Sequence, residues 1–262
     1  MSRDNIEKAF VFTEIPFYLA FLFLDITDRA PQTAAILKYI SILICAAMAV
    51  YEAVSGVKDF DRKQKSNHPL MALICPGLIF TAISDWFLLF CDDIFPGLVT
   101  FCIVQTIYLV VIMGADARNS ILLFIVRLGI GIIGMMILSE VVPDQKLLIA
   151  TVVFYGISFI GNIFHLLVET LSKRIPQRCI FAKPVLFLTG MILFFMCDIN
   201  VLLFNLRGYT GVDSHFLRIL ENTASVLIWA FYLPGQVMIV LSARGLKNGT
   251  QKMKQKRWNR ED

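Results

Sequence analysis

The stretch GLIFTAISDWFLLF, residues 77–90, carries a single acidic residue, Asp85, within an otherwise apolar run. The stretch GMILFFMCDINVLLF, residues 190–204, repeats this arrangement around Asp198, and in both a glycine stands eight residues before the aspartate. Both belong to longer apolar runs, at residues 70–90 and 183–206, and a helix needs about 20 such residues to cross a bilayer. The two stretches therefore predict membrane helices that each bury a carboxyl group.

The composition extends this prediction to the rest of the chain. Of the 262 residues, 57% are apolar and only 17% are charged, whereas soluble domains carry about 25% charged residues. A soluble globular enzyme is therefore excluded. The apolar runs cover approximately residues 9–24, 33–54, 70–90, 95–114, 119–139, 147–169, 183–206 and 219–243. We expect an all-α, polytopic bundle of eight transmembrane helices, with residues 1–243 as one domain and 244–262 as a basic tail.

The distribution of Lys and Arg predicts the orientation of the bundle. Eighteen of the 24 basic residues fall in the N-terminal segment, in alternate loops and in the tail, and four fall in the other loops. The side rich in basic residues is cytoplasmic, so we expect an N-in, C-in topology. The tail is expected to rest on anionic headgroups, and the net charge of +4 needs no nucleic-acid partner. Short loops favour a bacterial inner membrane, and an endoplasmic reticulum membrane is also compatible.

Most other ionisable residues in the spans have a structural interpretation. Four of them lie within about two turns of a predicted cytoplasmic end, where side chains reach water by snorkelling: Glu14, Glu52, His165 and Glu169. Arg127 lies near the middle of its span, so we expect it to pair with an acid from a neighbouring helix.

Lys38, Asp85 and Asp198 form the more informative set. Both aspartates follow the predicted starts of their spans by 15 residues, which places each of them about 22 Å into a core about 30 Å thick. Lys38 enters from the opposite side to a depth of about 8 Å, close to the same layer. The two glycine–aspartate stretches, 113 residues apart, also suggest a four-plus-four pseudo-repeat.

Two pairs of polar residues lie at helical spacing within spans. Gln105 and Tyr108 are three residues apart, and Tyr232 and Gln236 are four apart, so each pair projects from one helix face. Hydrogen bonding between helices, worth roughly 1 kcal/mol, is one interpretation of such pairs. The other is a polar site in the bundle interior.

Two neighbouring carboxyl groups in an apolar interior are suited to acid–base catalysis. Poor solvation of the charged form keeps one proton on such a pair, so one group donates a proton while the other activates water. The cysteines and histidines show no C-x-x-C, H-x-x-x-H or H-E-x-x-H spacing, so we expect neither a metal nor another cofactor. A proton-coupled transporter or a lipid-binding membrane protein is the alternative, because buried aspartates also form proton relays.

The two opening stretches, with DIFPGLVTFCIVQTIYLVVI at residues 93–112 and FYLPGQVMIV at residues 231–240, resemble the lysoplasmalogenase family of YhhN-like integral membrane proteins. The resemblance extends more loosely from Lys38 to about Leu241. It implies an eight-helix hydrolase that cleaves the vinyl-ether bond of lysoplasmalogens, so a lysophospholipid substrate and membrane lipids are the partners. Gln105 stands where the family usually has histidine.

The resemblance also assigns site residues. The family's two intramembrane aspartates map onto Asp85 and Asp198, which become the catalytic candidates. The substrate-binding candidates are Lys38, Gln105, Tyr108, Tyr232 and Gln236. Lys38 would either keep one aspartate ionised or bind the lipid phosphate together with Arg207 and Arg218. The structural alternative for Lys38 is a snorkelling anchor.

Overall fold

The computed structural model describes residues 3–60, 73–114, 116–138, 145–171, 184–210 and 212–243. Within these ranges the chain is helical and contains no strand. The helices are α1 (Arg3–Ile26), α2 (Pro31–Phe60), α3 (Ile74–Trp86), α4 (Ile94–Met113), α5 (Ala117–Leu138), α6 (Lys146–Leu171), α7 (Pro184–Thr210) and α8 (His215–Ser242). A π-helical turn, Phe87–Cys91, continues α3.

Eight of the described helices are long and apolar enough to cross a membrane, which confirms the predicted fold class. The third span reaches this length only because the π-helical turn extends α3 to Cys91. The basic tail at residues 244–262 lies outside the described residues, as do many of the basic residues that set the N-in, C-in orientation. The orientation, the domain boundary and the pseudo-repeat therefore stay predictions.

Local side-chain chemistry sets several helix ends near the site. The α3 segment stops where Asp92 adopts a left-handed conformation with φ of 51°, and the Asp93 side chain then caps α4 by accepting from the Phe95 amide at 3.3 Å. Ser214 caps α8 in the same way through the Leu217 amide at 3.2 Å. These caps satisfy amide groups that a helix N-terminus leaves unpaired.

Two glycines bring α7 and α8 into backbone contact. A Cβ atom on Gly190 would lie 2.8 Å from the Gly235 carbonyl oxygen, and one on Gly235 would lie 3.0 Å from the Gly190 carbonyl oxygen. Only glycine allows backbones to approach this closely, and small residues at helix crossings are typical of membrane bundles. The contact fixes the two helices that carry Asp198 and Tyr232.

Two expectations about polar residues in the spans were wrong. Glu14 and Glu52 do not reach the bundle surface, since each is 4% exposed, and the Cys45 thiol donates to Glu14 at 3.8 Å. Arg127 has an amide rather than a carboxylate as its described hydrogen-bond partner, because its Nη1 donates to Asn162 Oδ1 at 2.8 Å. By contrast, Glu169 is exposed and His165 is half-buried.

Candidate active site

Asp85 lies in the last turn of α3, and its side chain is enclosed by the bundle. The residue is 4% exposed. The hydroxyl of Tyr232, on α8, donates to its carboxylate and lies 2.8 Å and 2.7 Å from the two oxygens. This single hydroxyl therefore fixes the orientation of the carboxylate and links α3 to α8.

Asp198 lies midway along α7 and is held in a similar way by a different helix. The hydroxyl of Tyr155, on α6, donates to Asp198 Oδ2 at 2.7 Å. Asp198 is half-buried, so it is less enclosed than Asp85. Tyr155 was missed in the sequence, although the spacing of Tyr155, Ser158 and Asn162 at i, i+3 and i+7 marks a polar face on an apolar helix and could have identified it.

The two aspartates belong to one electrostatically coupled cluster. The charge of Asp198 acts on Asp85, and Cys197 lies within electrostatic range of both carboxylates. Aromatic rings pack around them: Phe194 lies 5.3 Å from the Tyr232 ring and 5.5 Å from Phe101, and Phe101 lies 6.0 Å from Tyr155. An apolar surround of this kind strengthens interactions between charges.

Lys38 is linked to this cluster through an aromatic ring rather than by direct contact with Asp85 or Asp198. Its Nζ donates to Asp25 Oδ1 at 2.8 Å and lies 4.9 Å from the centroid of the Trp229 ring. Trp229 in turn packs edge to face against Tyr232, with ring centroids 5.2 Å apart. The partner of Lys38 among the described residues is therefore Asp25, a residue of the last turn of α1.

A cavity of about 300 Å³ opens beside Lys38, at the end of the bundle where α1 ends and α2 begins. We call it the headgroup pocket, after the lipid headgroup that we propose it binds, and we call this end of the bundle the pocket end. Its polar lining carries both signs of charge: Asp25, Asp28, Arg29, Lys38 and Ser225. Trp229 also lines it, so a chain of side-chain contacts leads from the pocket through Trp229 and Tyr232 to Asp85.

Arg207 and Arg218 do not line the described pocket. Arg207 Nε lies 2.7 Å from Glu221 Oε2, and Arg218 forms an ion pair with Asp213. The Arg218 guanidinium holds the pKa of the exposed Asp213 carboxyl below its usual value by hydrogen bonding to it. Both arginines therefore already have acidic partners.

The remaining predicted site residues lie away from the pocket lining. Gln105 is fully buried, and both its backbone and side-chain oxygens accept from Asn162 Nδ2, at 2.9 Å and 3.0 Å. Tyr108 fills the space that Gly77 leaves, 2.8 Å from where a Cβ atom would stand. Gly77 precedes Asp85 by eight residues, about 12 Å along the helix.

Gln236 lies one turn beyond Tyr232 on α8 and is also fully buried. Neither atom of its amide has a hydrogen-bond partner among the described residues. The structure thus brings Tyr232 to Asp85 and keeps Gln236 within one turn of that pair. Gln105 contacts α6 instead, and Tyr108 packs against α3 two turns before Asp85.

The donor set of this site is two carboxyl groups and two phenolic hydroxyls. No group of three or more His, Cys, Asp or Glu side chains that could hold a metal ion occurs within the described ranges. Paired carboxyl groups with hydroxyl partners are suited to proton transfer.

Comparison with known proteins gives one match. The model of the YhhN family matches residues 33–243, which include α3 to α8 and nearly all of α2. No curated protein and no solved structure matches the chain.

Proposed function

Because the chain belongs to the YhhN family, the family of lysoplasmalogenases, we propose that it is a multi-pass membrane hydrolase that cleaves the vinyl-ether bond of lysoplasmalogens. The products are a fatty aldehyde and glycerophosphoethanolamine or glycerophosphocholine. The membrane-spanning fold suits an amphiphilic substrate, since the reacting bond lies close to the boundary between headgroup and hydrocarbon.

The observation that carries the proposal is the pair of coupled aspartates, each held by a tyrosine hydroxyl. Vinyl ethers hydrolyse through protonation of the β-carbon, which leaves an oxocarbenium ion at the α-carbon. The reaction needs a neutral acid close to a carboxylate that stabilises the cation. Two carboxyl groups of which one is protonated and the other ionised would provide both.

The proposed steps balance with water as the only co-reactant. One aspartic acid transfers its proton to the β-carbon, and the electrons of the double bond form the new C–H bond. Water then adds to the α-carbon and gives a proton to the other aspartate, which yields a hemiacetal. The hemiacetal then breaks its bond to the glycerol oxygen, which takes the proton that the second aspartic acid gained from water. The hemiacetal hydroxyl returns its proton to the first aspartate, so the aldehyde and the glycerol hydroxyl are released and the pair is restored.

The headgroup pocket supports a zwitterionic substrate. Arg29 offers positive charge to the phosphate, and so does Lys38, whose ammonium group has further donors beside its ion pair with Asp25. Asp28 offers negative charge to the ammonium group of the substrate. A pocket with balanced charges disfavours an anionic headgroup, because the aspartates would repel it. The alkenyl chain would then leave the pocket past Trp229 and Tyr232, beside Asp85.

The test is an assay with two substrates. Purified protein in detergent is incubated with ethanolamine lysoplasmalogen and, separately, with the acyl lysophospholipid of the same chain length, and aldehyde and fatty acid are measured. We expect aldehyde from the first and little fatty acid from the second. Failure to release aldehyde above the level of Asp85→Asn and Asp198→Asn, together with a solute flux that both variants abolish, would favour the transporter alternative and reject the hydrolase.

A further inference from the structure

One face of α6 is polar along most of its length. Its members follow one another at intervals of three or four residues, which places them in a line on one side of the helix. We call them the α6 row: Tyr155, Ser158, Asn162, His165 and Glu169. The opposite side of the helix is apolar and exposed, with Ile160 at 55% and Phe164 at 61%. The first four members of the row therefore face the bundle, as do Phe159 and Leu166, which are each 1% exposed. Ile160 and Phe164 face lipid.

The row begins at the site and leads away from the headgroup pocket. Tyr155 holds Asp198, and Glu169 lies 14 residues later, about 21 Å along the helix. Successive spans cross the membrane in opposite directions, so the end of α6 lies opposite the pocket end. The α6 row therefore runs from Asp198 towards the end of the bundle opposite the headgroup pocket.

Polar groups from α4 and α5 join the row at its centre. Asn162 accepts from Arg127 Nη1 at 2.8 Å and donates to Gln105 Oε1 at 3.0 Å. The guanidinium of Arg127 lies against Gly161, where a Cβ atom would be 2.7 Å from Nη2. A side chain at this position would push the guanidinium group aside.

Three buried polar atoms around Asn162 have no hydrogen-bond partner among the described residues: Ser158 Oγ, Gln105 Nε2 and Arg127 Nη2. The exposed fractions of their residues are 2%, 0% and 4%. Buried polar groups in proteins are almost always satisfied by protein or by ordered water. All three atoms can donate, and water can accept from each of them.

We propose that the α6 row is a water path that supplies the hydrolytic water to Asp198 from the end of the bundle opposite the pocket. Its catalytic purpose rests on the proposed function, because vinyl-ether hydrolysis consumes one water per turnover while the amphiphilic substrate fills the other entrance. The positive charge of Arg127, paired with an amide, disfavours passage of cations and of hydronium. The path therefore admits neutral water to the interior without conducting protons across the membrane.

Radiolytic hydroxyl-radical labelling tests the path directly, because radicals form from water within the protein and oxidise the side chains beside it. In nanodiscs, we expect oxidation of His165 and Tyr155, and little oxidation of Phe164, which is the neighbour of His165 but faces lipid. Equal labelling of Phe164 and Tyr155, or no labelling of Tyr155, would overturn the proposal.

A blocked path provides the second comparison. Asn162→Leu places an apolar side chain between His165 and Tyr155, and Ser158→Val is a milder change at the next position of the row. We expect each variant to lower Tyr155 labelling several-fold and to leave His165 labelling unchanged. Persistent labelling of Tyr155 in folded Ser158→Val would mean that water enters from the pocket end, which overturns the proposal.

Activity separates this proposal from the proposed function. We expect Ser158→Val to lower kcat by about tenfold with little change in KM, and the lipid-facing Ile160→Val to leave both unchanged. If the wild-type protein releases no aldehyde while Tyr155 is labelled through the row, the hydrolase proposal fails and the water path stands. If aldehyde is released and the row is not labelled, the water path fails alone.

Discussion

The two aspartate–tyrosine pairs start from the same local sequence pattern and reach different surroundings. Asp85 is enclosed, has both oxygens next to the Tyr232 hydroxyl, and connects through Trp229 to the headgroup pocket. Asp198 is half-buried, has one oxygen bonded by Tyr155, and adjoins the α6 row. The shared sequence pattern therefore places each carboxyl group within a span. The neighbouring helices determine its hydrogen-bond partner and its exposure.

This difference suggests a division of roles between the two carboxyl groups. We propose that the more enclosed Asp85, which connects to the headgroup pocket, donates the proton to the substrate. Asp198, which adjoins the α6 row, would accept a proton from water. The predictions below break or sharpen this contrast, beginning with the largest expected effect.

Removing either carboxyl group is expected to have the largest effect. Asp85→Asn and Asp198→Asn should each reduce aldehyde release by about a thousandfold or more, because one removes the proton donor and the other the base. The rate of aldehyde formation from ethanolamine lysoplasmalogen measures this loss. The matched control is Asp92→Asn, the same chemical change at an exposed position. Asp92 has a left-handed backbone conformation, which asparagine also adopts readily. An aspartate variant that retains a tenth of the wild-type rate would contradict an acid–base dyad.

The tyrosines should show the asymmetry of the two pairs. Tyr232→Phe removes the hydroxyl next to both oxygens of the enclosed Asp85, so we expect kcat to fall roughly 10- to 100-fold. Tyr155→Phe should reduce kcat by a smaller factor, because water can replace its single hydrogen bond to the half-buried Asp198. Tyr51→Phe is the control. Steady-state kinetics of the three variants measure these losses. A larger fall in kcat for Tyr155→Phe than for Tyr232→Phe would contradict the proposed difference between the two pairs.

Lys38 should affect substrate binding more than turnover. Lys38→Met removes a positive charge from the headgroup pocket, so we expect KM for the ethanolamine substrate to rise about tenfold with a smaller change in kcat. Lys146→Met provides a control at a residue outside the pocket lining. The contrary result, a lowered kcat with an unchanged KM, would place the action of Lys38 at the aspartates instead.

The smallest expected effect concerns the glycine contact between α7 and α8, the helices that carry Asp198 and Tyr232. Gly190→Ala forces α7 and α8 apart, because its Cβ atom would lie 2.8 Å from a backbone oxygen. We expect a loss of about 1–3 kcal/mol in stability and a lower Tm in detergent. Gly156→Ala is the control, since nothing lies within 4 Å of the added atom. Equal Tm values for the two variants would show that the close approach does not limit stability.

The eight spans could be predicted because the apolar runs are as long as a bilayer is thick. The aspartates were also identifiable, since a carboxyl group in hydrocarbon is rare and costly. Only one of their tyrosine partners was identified, because Tyr232 was marked by its spacing to Gln236 and by the resemblance, whereas the polar spacing around Tyr155 was not used. The choice between partners depends on which helices are neighbours, and a single sequence does not contain that information.

Helix boundaries account for one of the errors. The first apolar run was expected to begin at residue 9, which placed Glu14 near an end, whereas α1 begins at Arg3 and Glu14 lies at its middle. The same extension brings Asp25 into the last turn of α1, where it binds Lys38. Charged residues at a helix end obscure its start in hydropathy, although they remain helical.

The most direct test of the central claim is the mass of the aldehyde that forms in D₂O. Protonation of the β-carbon by a carboxyl group in exchange with solvent predicts an aldehyde with one deuterium at C2. Asp85→Asn and Asp198→Asn should abolish this product. An aldehyde without deuterium at C2, or one that forms at the same rate in both variants, would contradict the claim that the two aspartates protonate and hydrolyse a vinyl ether.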